Sequence, residues 1–477
     1  MDAARQARTC RKKLWEVRAS GSWPSRAAQL AAVQPVGTPA ARAQALARLR
    51  GHARMVDVRI ANLREGLRLG YAANRESVQA AIAQVDALVA APPRDSPLGK
   101  AAARDGDAGF RAEVEGVLAS DLLPAMRRYR DYLAAEYLPR ARTVPGVLEL
   151  PDGAACYQAA VRQSLTLQVP AGEIHEIGLA EVARLCGEMA LIAERSFGTR
   201  DVSGLLDRLR SDPAFRFGSS QEIVAAAQAA IDRAWAAAPR WFPRLPAARV
   251  RIEPYPEFRR VSSPSDSYDT GTSASGGEGI YRINAFVPPS RSRAGLEAIA
   301  FHEPVPGHHL QGALAREAAT VPVAQWIWNF GYGEGWALYT EGLAEEMGLY
   351  SSDVDRLGRL SSESFRAARL VVDSGMHALG WSRQRAIDYL LANTAVSTAL
   401  ASSEVDRYAA VPGQAVSYTL GALEIRRLRA EAERALGPRF DIRAFHGVVL
   451  GAGTLPLPAL RQQVEIVPAS ALVRPVG

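Results

Sequence analysis

FHEPVPGHHLQ, residues 301–311, holds three of the chain's seven histidines and a glutamate beside them. Its reading decides the fold. The familiar helical metal motif is H-E-x-x-H, two histidines four apart on one helix face. Here the fourth residue after His302 is Pro306, and the next histidines are His308 and His309. On an unbroken helix, at about 100° and 1.5 Å per residue, His308 lies about 240° round from His302 and His309 about 10.5 Å along the axis. Metal–nitrogen bonds of about 2.0–2.1 Å exclude both pairs. The chain supplies a break: Pro306 lacks an N–H and clashes with the preceding turn, and Gly307 permits unusual dihedrals. A two-residue bulge brings His308 to the second ligand position; a three-residue bulge brings His309 there. His52, His175 and His446 stand alone and read as structural.

A catalytic zinc usually takes three protein ligands and leaves one position open, so the third must come from another helix. Glu334, in 331-GYGEGWALYTE-341, lies 26 residues after His308 among glycines that allow close backbone approach. Glu341 is two turns further along the same face and is a candidate carboxylate partner for a ligand histidine. Glu303, beside a ligand, is positioned to act as general base toward a metal-activated water. The ligand candidates are therefore His302, His308 or His309, and Glu334, with one zinc ion per chain.

The surrounding sequence reads as helical. From residue 46 to about 240, long Ala/Leu/Arg/Glu runs break at Pro and Gly, as in 172-GEIHEIGLAEVARLCGEMALIAERSFG, which stops at Gly198. The texture changes at 248–287: ARVRIEPYPEF and GIYRINAFV alternate and carry β-branched and aromatic residues, which predicts strands. The Gly/Ser stretch between them lacks phosphate-loop and nucleophile-elbow patterns and reads as a loop. Helical patterns resume at Arg293. The expected organisation is a poorly ordered lead-in at 1–45, one mainly α-helical domain at 46–466 with a small β insert, and a C-terminal tail at 467–477.

Composition narrows the function classes. The chain has 477 residues, 48% of them hydrophobic, which allows a large core. Its formal charge of +7 comes from scattered arginines, which look like solvated helix faces and not a nucleic-acid footprint. No apolar run is long enough to span a membrane. The three cysteines, Cys10, Cys156 and Cys186, are distant and odd in number, so free thiols in a reducing, cytoplasmic setting are expected. No secretory signal is seen at the N-terminus.

The blocks FHEPVPGHHLQ, EGWALYTE, FRAARLVVDSGMHALGWSRQRAIDYL, VPGQAVSYTLG and RFDIRAFHGVVLGAGTLPLPAL resemble, in order, the signatures of a bacterial family once catalogued as a domain of unknown function. The resemblance covers roughly residues 110–465. That family is similar to gluzincin metallopeptidases, which implies a mainly α fold like that of oligopeptidases and thermostable carboxypeptidases, with a small β-sheet lining the active-site cleft. It favours His308 over His309 as second ligand. It also suggests that GIYRINAFV lines the cleft, making Tyr281 and Asn284 substrate-binding candidates. Tyr418 becomes a candidate oxyanion donor, His377 a candidate for the same role or for binding the substrate, and Arg369 either pairs with Asp373, four residues on, or holds a substrate carboxylate. The expected function is a zinc metallopeptidase acting on a peptide or small amide. The alternatives are a metal-dependent hydrolase of non-peptide amides or esters and a degenerate metal- or peptide-binding relative. The chain is compatible with a homodimer.

Overall fold

The computed structural model describes residues 2–19, 21–255, 266–271, 278–318, 328–466 and 472. It is mainly helical with one small sheet. The strands are β1 (Val250–Pro254), β2 (Ser267–Asp269) and β3 (Gly279–Ile283), in the order β1-β3-β2. β1 runs parallel to β3, with Ile252 opposite Tyr281; β2 runs antiparallel to it, with Tyr268 opposite Tyr281. β3 alternates as its sequence predicts, burying Gly279, Tyr281 and Ile283. β2 lies within the stretch expected to be loop. Its SYD carries no strand pattern; pairing with β3 and packing of Tyr268 on His309 create it. The remainder of that Gly/Ser stretch lies largely outside the described residues.

The N-terminal segment departs from expectation. Residues 1–45 are not a loose lead-in: the helices Asp2–Cys10 and Trp23–Val33 form there, and Pro39–Arg68 begins there. Ser22 and Thr38 cap the second and third through their side-chain oxygens, and a proline sits in the first turn of each. Weak periodicity hid these helices, because alanine supplies much of their buried face (Ala27, Ala31, Ala45). Side chains from Val17 to Ala141 then share a core of their own.

The cysteine reading is corrected too. Cys10 and Cys156 form a disulfide, which ties the first helix to the Gly153–Leu165 helix. Their separation of 146 residues hides the pairing from spacing rules. Cys186 is free and exposed.

The largest core gathers the sheet, the histidine helices and the helices Phe330–Glu346 and Ser417–Leu436. Those last two helices cross with their backbones touching. A Cβ on Gly335 would sit 2.5 Å from the Gly421 carbonyl carbon, and one on Gly421 would sit 1.9 Å from the Gly331 oxygen. Real Cβ contacts are not that short, so glycine is required on both sides of the crossing. Among the described residues no helix is long and apolar enough to cross a membrane. The 467–477 tail lies outside the described residues, apart from buried Leu472.

Candidate metal centre

The break at Pro306 and Gly307 is sharper than a bulge. The Leu296–His302 helix ends, residues 303–307 turn, and the His308–Ala318 helix starts afresh. The Val305–Pro306 peptide is cis. The turn folds so tightly that a Cβ on Gly307 would lie 1.8 Å from the His302 carbonyl oxygen. Its backbone groups are satisfied locally: the His309 N–H donates to the Glu303 and Pro304 carbonyls, at 3.0 Å each. The Trp336 indole donates to the Pro306 carbonyl at 3.0 Å, tying the turn to the Phe330–Glu346 helix.

This geometry brings His302 and His308 together. Their ring centroids are 4.8 Å apart and nearly perpendicular. Glu334 faces both: its Oε2 is 3.7 Å from His302 Nε2 and 3.3 Å from His308 Nε2. Donor atoms of His302, Glu303 and His308 also lie within 4.8 Å of one another, so two carboxylates border the pair of rings. Glu334 Oε2 stands within 4 Å of both ring nitrogens. On the far side of His302, its Nδ1–H donates to Glu341 Oε1 at 2.8 Å. That fixes the tautomer and turns Nε2 toward Glu334. Arg366 Nη2 stands 3.7 Å from the same Glu341 oxygen.

The electrostatics follow from burial and pairing. Burial opposes ionisation of Glu334, but the two histidine rings outweigh it and hold Glu334 well below the usual carboxylate range. His302 is raised: burial pushes it down, and Glu334 and Glu341 more than reverse that. Glu303 goes the other way. Burial first, then the carboxylates of Glu334 and Asp266, push it up to about 8 against the pull of His308. Two neighbouring carboxylates with opposite shifts are what an acid/base partner beside a ligand requires.

Other predicted residues are placed differently. His309 turns away from the cluster. Its Nε2–H donates to the Ala248 carbonyl at 2.9 Å, and its Nδ1 accepts from the Tyr268 hydroxyl at 3.0 Å. Both nitrogens are spent, burial pushes it down to about 4, and it fastens the sheet to the helix that carries His308. Gly279 makes room for it, since a Cβ there would lie 2.8 Å from His309 Nδ1. His377 spends both ring nitrogens within the fold. Its Nε2–H donates to the Tyr408 carbonyl at 3.0 Å, and its Nδ1 accepts from the Val147 N–H at 3.1 Å. Asp373 pairs neither with Arg369 nor with the candidate ligands His302, His308 and Glu334. It accepts from the Tyr157 hydroxyl at 2.8 Å and the Gly413 N–H at 3.0 Å, holding the turn before Tyr418.

Tyr281 and Asn284 are committed internally as well. The Tyr281 hydroxyl donates to Asp266 at 2.7 Å, and the Asn284 N–H donates to the other Asp266 oxygen at 2.8 Å. Arg291 completes this knot with bonds of 2.6 and 2.5 Å to Asp266. Asp266 and Arg291 were missed from sequence because a buried pair across a loop leaves no local pattern. Arg366 and Trp336 sit inside quoted blocks, FRAARL and EGWALYTE, where motif content was the available signal. Tyr418 is half-buried within electrostatic reach of Glu334; burial first, then Glu334, raise its hydroxyl. His175 bonds Ser374, and His446 bonds Tyr339 and the Trp241 carbonyl, so both are structural.

A family described as "Bacterial protein of unknown function (DUF885)" matches residues 2–464. Two solved structures share the fold. One, from Colwellia psychrerythraea, is 28% identical with a TM-score of 0.89, covering 95% of this chain and 80% of the other. The second, from Shewanella oneidensis, is 19% identical with a TM-score of 0.74, covering 95% and 83%. Each is called a "putative lipoprotein". No curated protein matches the chain. These findings overturn the gluzincin part of the sequence reading. The matched family carries no assigned function, and neither similar structure is called a peptidase, so the motif blocks identify a family without lending it the fold or activity of gluzincin peptidases.

Proposed function

The chain belongs to the bacterial DUF885 family, and we propose that it is a metal-dependent hydrolase of peptide or other amide bonds. The observation that carries this reading is the convergence of three donors. His302 Nε2 and His308 Nε2 both face Glu334 Oε2, at 3.7 and 3.3 Å. Two bonds of about 2.0–2.1 Å at a tetrahedral angle span about 3.3 Å, so the set fits one zinc-sized ion. The His302–Glu341 bond supplies the carboxylate–histidine support typical of such ligands. A cation held there would polarise a carbonyl and acidify water.

The chain's own groups do the rest. Beside a cation held there, the raised Glu303 carboxyl is drawn back to its ionised form, and that carboxylate, adjoining His302 and outside the Glu334 pairing, takes a proton and returns it to the leaving nitrogen. The Tyr418 hydroxyl, kept protonated by burial, donates toward the carbonyl oxygen as charge develops on it. Glu341 keeps His302 in one tautomer, and Arg366 offsets the Glu341 charge. The Cys10–Cys156 disulfide argues for an oxidising compartment, as does the lipoprotein name of the Colwellia relative. We therefore assign the chain to an exported setting in place of the cytoplasmic one expected from sequence.

The test is metal content by mass spectrometry together with turnover of a peptide library. Wild type should hold about one zinc per chain, and His302→Ala and Glu334→Ala should lose it. Glu303→Gln should keep the metal and lose turnover. A wild type that takes up no zinc, or a fully active Glu303→Gln, refutes the reading.

A further inference from the structure

Arg369 lies one helical turn beyond Arg366 on the Asp353–Ala378 helix, so the two guanidinium groups share a face. Arg366 backs the candidate metal centre through Glu341. Arg369 is 7% exposed and held between two rings: its guanidinium carbon is 4.5 Å from the centroid of Phe365 and 4.5 Å from that of Tyr418. Its Nε donates to the Tyr408 hydroxyl at 2.9 Å and its Nη2 to Glu404 at 3.0 Å. Among the described residues its Nη1 has no partner. A buried donor left that way is destabilising unless a ligand satisfies it.

The local charge count points the same way. Glu404 also takes two bonds from Arg407, at 2.9 Å each, and the third Arg407 contact is to neutral Gln414. Two guanidinium groups therefore share one carboxylate, and the remaining neighbours of Arg369, Tyr408, Tyr418 and Phe365, are neutral; Asp373, the other carboxyl within electrostatic reach of Arg407, is pushed by burial toward its neutral form. Around Arg369 the guanidinium groups exceed the Glu404 carboxylate by one charge in a buried place, which favours an anion. Tyr418 links it to the reacting centre, with its ring on Arg369 and its hydroxyl within electrostatic reach of Glu334. A guanidinium with a spare nitrogen suits a planar carboxylate.

We infer that Arg369 Nη1 anchors a free carboxylate of the substrate, so that the amide cleaved lies near the C-terminus of a peptide. This inference rests on the hydrolase reading for the bond that is cleaved, but not for the binding itself.

The experiment uses N-acetyl tripeptides ending in Ala, Leu, Lys or Phe, each as the free acid and as the C-terminal amide. Turnover is measured on zinc-loaded wild type, and binding by calorimetry on zinc-loaded Glu303→Gln. The acid should be preferred over the amide by about tenfold to a hundredfold in kcat/KM and in affinity, the worth of a charge-assisted hydrogen bond. In Arg369→Met the acid-to-amide ratio should fall toward one, and in Arg369→Lys, which keeps the charge but not the fork, it should be intermediate. Equal handling of acid and amide by wild type, or a ratio unchanged in Arg369→Met, overturns the anchor; the wild-type ratio decides even where the Met variant does not fold. Acid-selective binding without wild-type turnover keeps the anchor and removes the hydrolase reading. Turnover without acid preference does the reverse.

Discussion

Replacing Gly307 with alanine tests the turn that joins the two histidines. The added methyl group would stand 1.8 Å from the His302 carbonyl oxygen and 2.4 Å from its carbonyl carbon. Real Cβ contacts stay above 3.0 Å, so the gap must open by about 1.2 Å to reach even that limit. Two backbones face each other there and no flexible side chain can yield. Because His308 follows Gly307 directly, most of that opening moves His308 relative to His302. Against a bond length of about 2.0–2.1 Å, a ligand displaced by half that length no longer shares the ion. We expect Gly307→Ala to fold, with a stability loss of about 1–3 kcal/mol from overpacking. Its zinc affinity should fall at least as far as for a lost ligand support, about 10–100-fold. A competition titration with a chromophoric chelator reads the affinity, and a urea melt reads the stability. Zinc affinity within twofold of wild type, with the fold intact, would refute the coupling of the turn to the ligand pair.

Three further outcomes are expected. Glu341→Gln leaves the His302 ring a weaker acceptor and should lower zinc affinity by about 10–100-fold with little change in fold; unchanged affinity would mean the 2.8 Å bond does not support the ligand. Cys10→Ser should lower the urea-melt stability by about 2–4 kcal/mol under non-reducing conditions, and coincident melts would count against the disulfide. Burial pushes Asp373 up to about 7, against the hydrogen bonds from Tyr157 and Gly413. The folded state therefore holds a proton that the unfolded chain releases near pH 4. The Asp373 contribution is full below about pH 4 and is lost as pH rises toward 7. Subtracting Asp373→Asn from wild type in melts across that range should show this decline, and a flat difference would remove the assignment.

The convergence of His302, His308, Glu334 and Glu341 was legible because the residue types and spacing expected of metal ligands single them out even across a broken helix. Helices such as Ala171–Phe197 were legible from periodicity, and Gly198 ends that one at a φ of +67°. β1 and β3 were legible from alternation. The failures share a cause: they depend on what a residue meets across the fold. His309 has the same identity as His308 and adjoins it, yet one residue of helical rotation sends it to the Ala248 carbonyl and the sheet. His377 and Asp373 fall in a motif block, but they serve the packing of Val147, Tyr408 and the Gly413 turn. Cys10 and Cys156 meet only because the Asp2–Cys10 helix lies along Gly153–Leu165. The alanine-faced N-terminal helices escaped notice because binary patterning is weak where the buried residue is small.

The Cys10–Cys156 bond also gives the chain a topology beyond its thermodynamic worth. It closes a covalent ring around the whole N-terminal helical core, from Val17 to Ala141. A protease that cuts inside that ring, at exposed bends such as Gly70 or Gly106, opens the ring without releasing a fragment. The nicked protein then migrates as one species until a reductant is added. Where proteases are abundant, such a chain can take one cut on this side and still keep its N-terminal helices attached to the body that carries His302, His308 and Glu334.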